Sequence, residues 1–205
     1  LPDEINGKST AEKLEEVRKK LKEAGAGYLL LSKLDDLMWL LNIRGNDVEC
    51  NAVALCYGFL TQEEIYFFAQ KSAVTEAFEK YAKENRIICR DYDEIADFLE
   101  KYDYKGKVFL DERNSNYALF KIVSSRTGHV AGDNPTEGMK AVKNETELSE
   151  MEEVYRKDSA AVIKFIYWLK KNIGKIEITE LSAARYLDDL RRNTEGNLDL
   201  YLPTI

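Results

Sequence analysis

The residues that could bind a metal, move a proton or hold an anion are few. His129 is the single histidine in 205 residues. One imidazole supplies one ligand or one base, so a Ser-His-Asp arrangement or a zinc site needs partners from elsewhere. His129 is read as a surface or hydrogen-bonding residue. Asp35-Asp36 and Asp111-Glu112 are neighbours in sequence whose side chains point differently, so neither doublet is expected to form a convergent carboxylate site. Asp188 and Asp189 fall beside Arg185, Arg191 and Arg192 and read as a solvated helix face. Neither GxGxxG nor GxxxxGK[ST] occurs, which leaves phosphate-loop chemistry unsupported. No catalytic residue and no metal ligand set is expected in this chain.

Arg44 is the polar residue that stands out. It follows an apolar helical stretch, precedes Gly45 and has Asp47 three residues on. Its guanidinium either pins its own loop through a bidentate carboxylate contact or walls a cleft formed with a neighbouring domain. The sequence leaves both roles open for Arg44 and Asp47.

The elements that must position these residues follow from periodicity. Ser32 is expected to cap a short helix with Leu34, Leu37, Met38 and Leu41 on one face, and residues 42–51 break the pattern as an ordered loop at the end of a sheet. Upstream, Ser9 with Glu12 forms a capping box, Leu14, Val17, Leu21 and Ala24 form an apolar stripe, and Gly25 and Gly27 stop the helix. Tyr28 to Leu31 reads as a strand buried on both faces. Residues 52–59 and 64–69 read as a hairpin. Helices are expected over 71–85, 92–101 and 116–123, with short strands over 86–90 and 107–110. This alternation predicts an α/β fold, a mixed and mostly parallel sheet flanked by helices, over residues 1–135.

Gly132, Pro135 and Gly138 punctuate an expected linker, after which Asn144 and Glu147 cap a long helix to about Asn172 and Thr179 starts a second. Residues 198–205 read as a strand cut off as it begins. Two helices and half a strand close no core, so residues 136–205 are expected to be a linker and the first two helices of an incomplete domain.

The composition is that of a folded chain, with 44% hydrophobic residues, and its 30 basic and 37 acidic side chains are interspersed to a net charge of -7. That balance argues against a general attraction to nucleic acid or anionic membrane. No apolar run is long enough to span a bilayer. Cys50, Cys56 and Cys89 have no CxxC spacing, and an odd count at wide separations fits a reducing, cytoplasmic compartment. The chain starts without Met and without a signal-peptide core, which leads to the expectation that a segment was removed upstream.

The stretch Leu34-Asp-Asp-Leu-Met-Trp-Leu-Leu-Asn-Ile-Arg-Gly-Asn-Asp-Val48, then Asn51-Ala-Val53 and Tyr57, resembles the non-catalytic domain that precedes the catalytic domain in aminopeptidase P (Xaa-Pro aminopeptidase), of the creatinase/prolidase-like group. Met139-Lys-Ala-Val-Lys-Asn-Glu-Thr-Glu-Leu148, Met151, Arg156, Asp158, Phe165, Trp168-Leu169, Ile178-Thr-Glu180, Ala183-Ala184 and Leu190-Arg191 resemble the entry into its pita-bread catalytic domain, and Pro203-Thr-Ile205 the first catalytic strand. The family pattern has proline after the asparagine at Asn51, where this chain has Ala52. The resemblance implies a parent enzyme that removes the N-terminal residue preceding proline, using two divalent metals, commonly manganese, held by ligands beyond Ile205. It implies as partners the missing catalytic domain, proline-containing peptides and a homo-oligomer. The chain itself is then expected to be inactive, positioning the catalytic domain, shaping its cleft or supporting oligomerisation. The alternative is an independent interaction or small-ligand-binding module.

Overall fold

The computed structural model describes residues 1–197. Residues 198–205, which read as a strand, lie outside the described part. A one-turn helix α1 (Asp3–Asn6) leads to α2 (Thr10–Glu23), which begins where local chemistry places it. Ser9 accepts from the Glu12 amide, and the Glu12 carboxylate accepts from the Ser9 amide. Leu14, Val17 and Leu21 on its inner face are buried.

β1 (Tyr28–Leu31) is buried along its whole length. Alternation of its side chains divides the core. Leu29 and Leu31 pack with Leu14, Val17, Leu21 and Leu37 on one side; Tyr28 and Leu30 pack with Phe59, Ile95, Leu99 and Val123 on the other. A strand placed centrally in a two-sided sheet has to be apolar throughout, as this one is.

The chain continues through α3 (Leu34–Leu40), the hairpin β2 (Cys56–Leu60) and β3 (Ile65–Ala69), α4 (Glu76–Glu84), β4 (Ile87–Asp91), α5 (Ile95–Lys101), β5 (Val108–Leu110), α6 (Tyr117–Arg126) and β6 (His129–Ala131). The six strands lie in the order β4-β3-β2-β1-β5-β6. β1-β2 and β2-β3 are antiparallel, while β3-β4, β1-β5 and β5-β6 are parallel. The mixed, mostly parallel sheet expected from the alternation is therefore present. α2, α3 and α4 contribute to one core and α5 and α6 to the other.

Several local readings change. Ser32 does not cap α3: Lys33 occupies the cap position without a side-chain bond, and the Ser32 hydroxyl is buried with no hydrogen-bond partner among the described residues. β1 carries Ser32 inward before the helix can use it. The strand expected over 52–59 starts only at Cys56, because residues 52–54 are spent closing the preceding loop. The single helix expected over 71–85 splits into a 3-10 turn, Lys71–Ala73, and α4, which starts from the Thr75 cap. β6 and α1 gave no periodic signal, being three and four residues long.

The punctuated stretch after β6 is a helix, α7 (Pro135–Ala141). Asn134 caps it by accepting from the Thr136 amide, and Pro135 occupies the first turn, where its missing N–H costs nothing. The long helix is α8 (Glu145–Asn172), opened by the Asn144/Glu147 capping box, and Thr179 caps α9 (Glu180–Arg192) as the sequence predicts. Trp168 of α8 and Tyr186 of α9 stack at 4.1 Å, and the Arg191 guanidinium grips Asp158 across the pair, Nε to Oδ1 at 2.8 Å. The sequence reads the charges around Asp188 and Asp189, Arg191 among them, as a solvated face; packing of α9 along α8 instead brings Arg191 onto Asp158. Of α8, only Ala161 is buried, whereas Leu148, Val154, Tyr155, Ile163, Ile166 and Tyr167 are exposed.

Candidate functional site

The Arg44 loop is built by backbone closure. The Gly45 amide donates to Ala52 O at 3.3 Å and the Asp47 amide to Val53 O at 3.1 Å, drawing the two limbs together. A Cβ on Gly45 would lie 2.6 Å from the Ala54 nitrogen, so the close approach requires glycine. Cys50 turns the tip at φ 58°.

Arg44 and Asp47 both act within this loop, on different partners. Arg44 Nη1 donates to Ile43 O at 2.7 Å and to Met38 O at 3.3 Å, tying the loop to the end of α3. Asp47 Oδ2 accepts from the Leu55 amide at 2.8 Å. Desolvation pushes the Arg44 pKa down and the field of Glu147 opposes it; a guanidinium stays charged regardless. Beside it lies a groove of about 610 Å³ lined by Ile43, Phe67, Ala69, Phe78 and Tyr81 together with Arg44. The groove is mainly apolar, with the Arg44 guanidinium at its wall.

His129 on β6 faces the surface, with Nε2 3.2 Å from Glu112 Oε1 and Nδ1 3.4 Å from Ser124 Oγ. Its ring meets Phe120 edge-on at 5.4 Å. Glu112 points outward while Asp111 turns in, as expected for that doublet.

The other doublet behaves differently. Asp35 and Asp36 converge on the Lys140 ammonium, with Asp36 Oδ1 at 2.6 Å, so the expectation that they diverge is overturned. Lys140 reaches them because α7 lies against α3, a juxtaposition of residues 104 and 105 positions apart that no local spacing encodes. Asp36 is 0% exposed. Its second oxygen accepts from Asn134 Nδ2 at 3.2 Å, while the Asn134 amide donates to Asp111 Oδ2 at 3.4 Å. Asp111 also accepts from the Arg113 amide at 3.1 Å and from Asn114 Nδ2 at 2.8 Å. The polar centre of the molecule is thus the carboxyl ends of β1 and β5. Sequence reading missed Asn134 and Lys140 there; Asn134-Pro135, an N-cap followed by proline at N1, was the available signal.

These residues do not suit a two-metal centre. Among the described residues no group of three or more His, Cys, Asp or Glu side chains could hold a metal ion. The buried carboxylates Asp36 and Asp111 are already satisfied by lysine and amide donors, which a cation would have to displace.

A helix-flanked mixed sheet of this order, with its buried carboxylates Asp36 and Asp111 held by internal donors, matches a known class. The chain belongs to the creatinase/prolidase N-terminal domain family, whose sequence profile covers residues 1–147. Among full-length proteins it is 31% identical over 209 residues to Xaa-Pro aminopeptidase 1 of Dictyostelium discoideum, an alignment covering 100% of this chain and 33% of that protein. It is 30% identical to a probable Xaa-Pro aminopeptidase P of Metarhizium robertsii, covering 100% of this chain and 36% of that protein. The X-prolyl aminopeptidase of Caenorhabditis elegans, described as a cytosolic enzyme with a di-nuclear active site, superposes with a TM-score of 0.94 at 28% identity over 98% of this chain and 34% of that one. The X-Pro aminopeptidase of Thermotoga maritima, at 18% identity and a TM-score of 0.66, shares the fold. The chain spans about a third of the length of the curated relatives it matches. Among the described residues no helix is long and apolar enough to cross a membrane.

Proposed function

We propose that this chain is the non-catalytic part of an Xaa-Pro aminopeptidase-like metallopeptidase. Residues 1–135 form its creatinase/prolidase N-terminal-like domain, and residues 136–205 form the connection and first helices of a catalytic domain. The parent removes the N-terminal residue preceding proline from peptides in the cytoplasm, by hydrolysis at two divalent metals, manganese being the expected pair. This part positions the catalytic domain, and homo-oligomerisation of the parent belongs to the same reading. The observation that carries it is the contrast between two halves. The sheet closes a core on both faces, while α8 and α9 expose Val154, Tyr155, Ile163, Ile166, Tyr167 and Leu181, an apolar surface that calls for a covering partner.

The purified 205-residue chain is expected to release no N-terminal residue from an Xaa-Pro peptide, even with excess manganese, whereas the full-length parent does. Manganese or chelator is expected to shift the melting temperature of the chain by less than about 5 °C, since only ligands that bind the native state stabilise it. Release of the N-terminal residue by the chain alone, abolished by chelation, would overturn the proposal.

For Arg44 the proposal is loop-pinning, supported by its two carbonyl contacts. Arg44→Ala in the full-length parent is expected to cost about 1–2 kcal/mol of stability for the lost charge-assisted bonds and to leave kcat and KM near wild type. A change in kcat or KM at unchanged melting temperature would make Arg44 a wall of the substrate cleft. The groove beside it supports the second reading, a small-ligand or interaction module, which gains if the chain binds apolar carboxylates with Arg44 required.

A further inference from the structure

In an open α/β sheet the crevice outside the carboxyl ends of the strands, where the winding changes direction, is the usual place for a ligand. Here β1 leads through α3 to β2, β3 and β4 on one side, while β5 and β6 lie on the other, so that crevice lies between the ends of β1 and β5. It is already filled from within. Asn134 enters it between two carboxylates, donating from its side chain to Asp36, which follows β1, and from its backbone to Asp111, which follows β5. Thr136 behind it is 0% exposed. Lys140, one helical turn further on, closes the mouth by bridging Asp35 and Asp36, and Glu137 meets Lys33 at 3.2 Å. Met139 packs against the sheet-side core.

The far end of the same segment is tied down independently. Asn144 Nδ2 donates to Asn6 O at 2.8 Å and Trp39 Nε1 to Glu147 Oε1 at 3.3 Å. Gly7, at φ 65°, sits so close that a Cβ would lie 2.6 Å from both Asn144 Oδ1 and Thr146 Cβ. The stretch from Asn134 to Glu147 is therefore fastened at both ends to elements that precede it by 23 to 138 residues.

We propose that residues 134–147 are a strap: α7 seals the crevice in which this fold would otherwise receive a ligand, and the sealed strap sets the direction in which α8 leaves the sheet. The consequence is that the sheet and the start of α8 move as one body, with α7 as a rigid coupling in place of a hinge. The inference goes beyond the peptidase reading and does not depend on it, because its test measures the 205-residue chain without any substrate.

Amide hydrogen exchange of the chain reads the coupling directly. In the wild type, the protected amides of α7 and of the second turn of α8 are expected to exchange as slowly as those of β1 and β5, and much more slowly than the 46–51 loop. Lys140→Met, which keeps the aliphatic stem but removes the bridge, is expected to speed exchange in α7 at least tenfold while β2 and β3 remain protected. Gly7→Ala should loosen the start of α8 in the same selective way without touching the crevice, and serves if Lys140→Met does not fold. Fast exchange of wild-type α7, or variants that speed the strap and the sheet equally, would show that residues 134–147 are not a separate fastening and would sink the inference. Failure of the peptidase reading would leave these exchange results unchanged.

Discussion

Phe59→Ala is expected to lower the stability of the chain by about 3–5 kcal/mol, the range for an aromatic truncation in a core that relaxes only partly. Phe59 is 0% exposed in β2. Its ring stacks on Tyr28 at 5.5 Å and meets Phe98 at 5.5 Å, Tyr102 at 5.1 Å and Tyr104 at 6.1 Å. Those partners come from β1, α5 and the turn after it, so one deletion removes contacts that join the hairpin to the helical layer. Tyr102 and Tyr104, both pushed up to about 12 first by burial, report the same compact surroundings. Urea titration followed by tryptophan fluorescence and by far-UV circular dichroism measures the loss. The Trp39 part of the fluorescence change should move with the loss, because Trp39 packs against the other face of the same sheet and a small domain of this kind unfolds as a unit, whereas Trp168, stacked on Tyr186, reports the pairing of α8 with α9. A loss below about 1 kcal/mol would mean that the aromatic layer does not bear on the sheet.

Asp111→Ala is the second large effect, expected at about 3 kcal/mol at neutral pH, since it takes a buried, charged acceptor away from the Arg113 and Asn134 amides and the Asn114 side chain. Asp111 is 4% exposed. Burial alone would raise its pKa, but bonds from the Asn114 side chain and from the Asn134, Arg113 and Asn114 amides outweigh it and hold the carboxyl below the usual value. The sign of the pH dependence follows. A carboxylate with a depressed native pKa contributes its stabilisation in full above its unfolded value, about 3.9, and loses it as pH falls through the native value. The wild type should therefore lose stability on acidification below about pH 4, and Asp111→Ala should lose less over the same range. Asp35 is also lowered, with burial opposed by its bond and Coulombic attraction to Lys140, and adds to the wild-type slope in both proteins alike. Denaturant midpoints measured from pH 6 downward separate the two contributions, and parallel curves for wild type and variant would refute the role given to Asp111.

How much of this was written in the sequence depends on the range of the interaction. The capping boxes at Ser9/Glu12 and Asn144/Glu147 and the Thr179 cap bond residues three apart, and such pairs are fixed once a helix forms at all. The hairpin was legible because its two apolar runs are separated by the short 61–64 connection, and the antiparallel register Gly58↔Phe67 follows from that short connection. Tyr28 to Leu31 could be placed between two layers because four consecutive apolar residues leave no solvent face. Membership of the creatinase/prolidase N-terminal domain family was legible too, as a resemblance carried by the residues of the 34–57 stretch, and the family profile over residues 1–147 bears it out.

The tertiary structure alone decided where charges meet. Asp36 and Lys140, or Asn134 and Asp36, are brought together by the parallel crossover that carries β5 and β6 past β1 and returns α7 over α3. Residues 98 and 104 apart have no spacing rule. The same holds for Arg44: its neighbour Asp47 was the obvious partner by sequence, but loop closure through Gly45 turns Asp47 to the Leu55 amide and leaves the guanidinium to the carbonyls of Met38 and Ile43. Periodicity and capping set the local elements because their energies are local; the polar centre depended on the topology that folds them against one another, and a linear pattern of residue types does not carry that information.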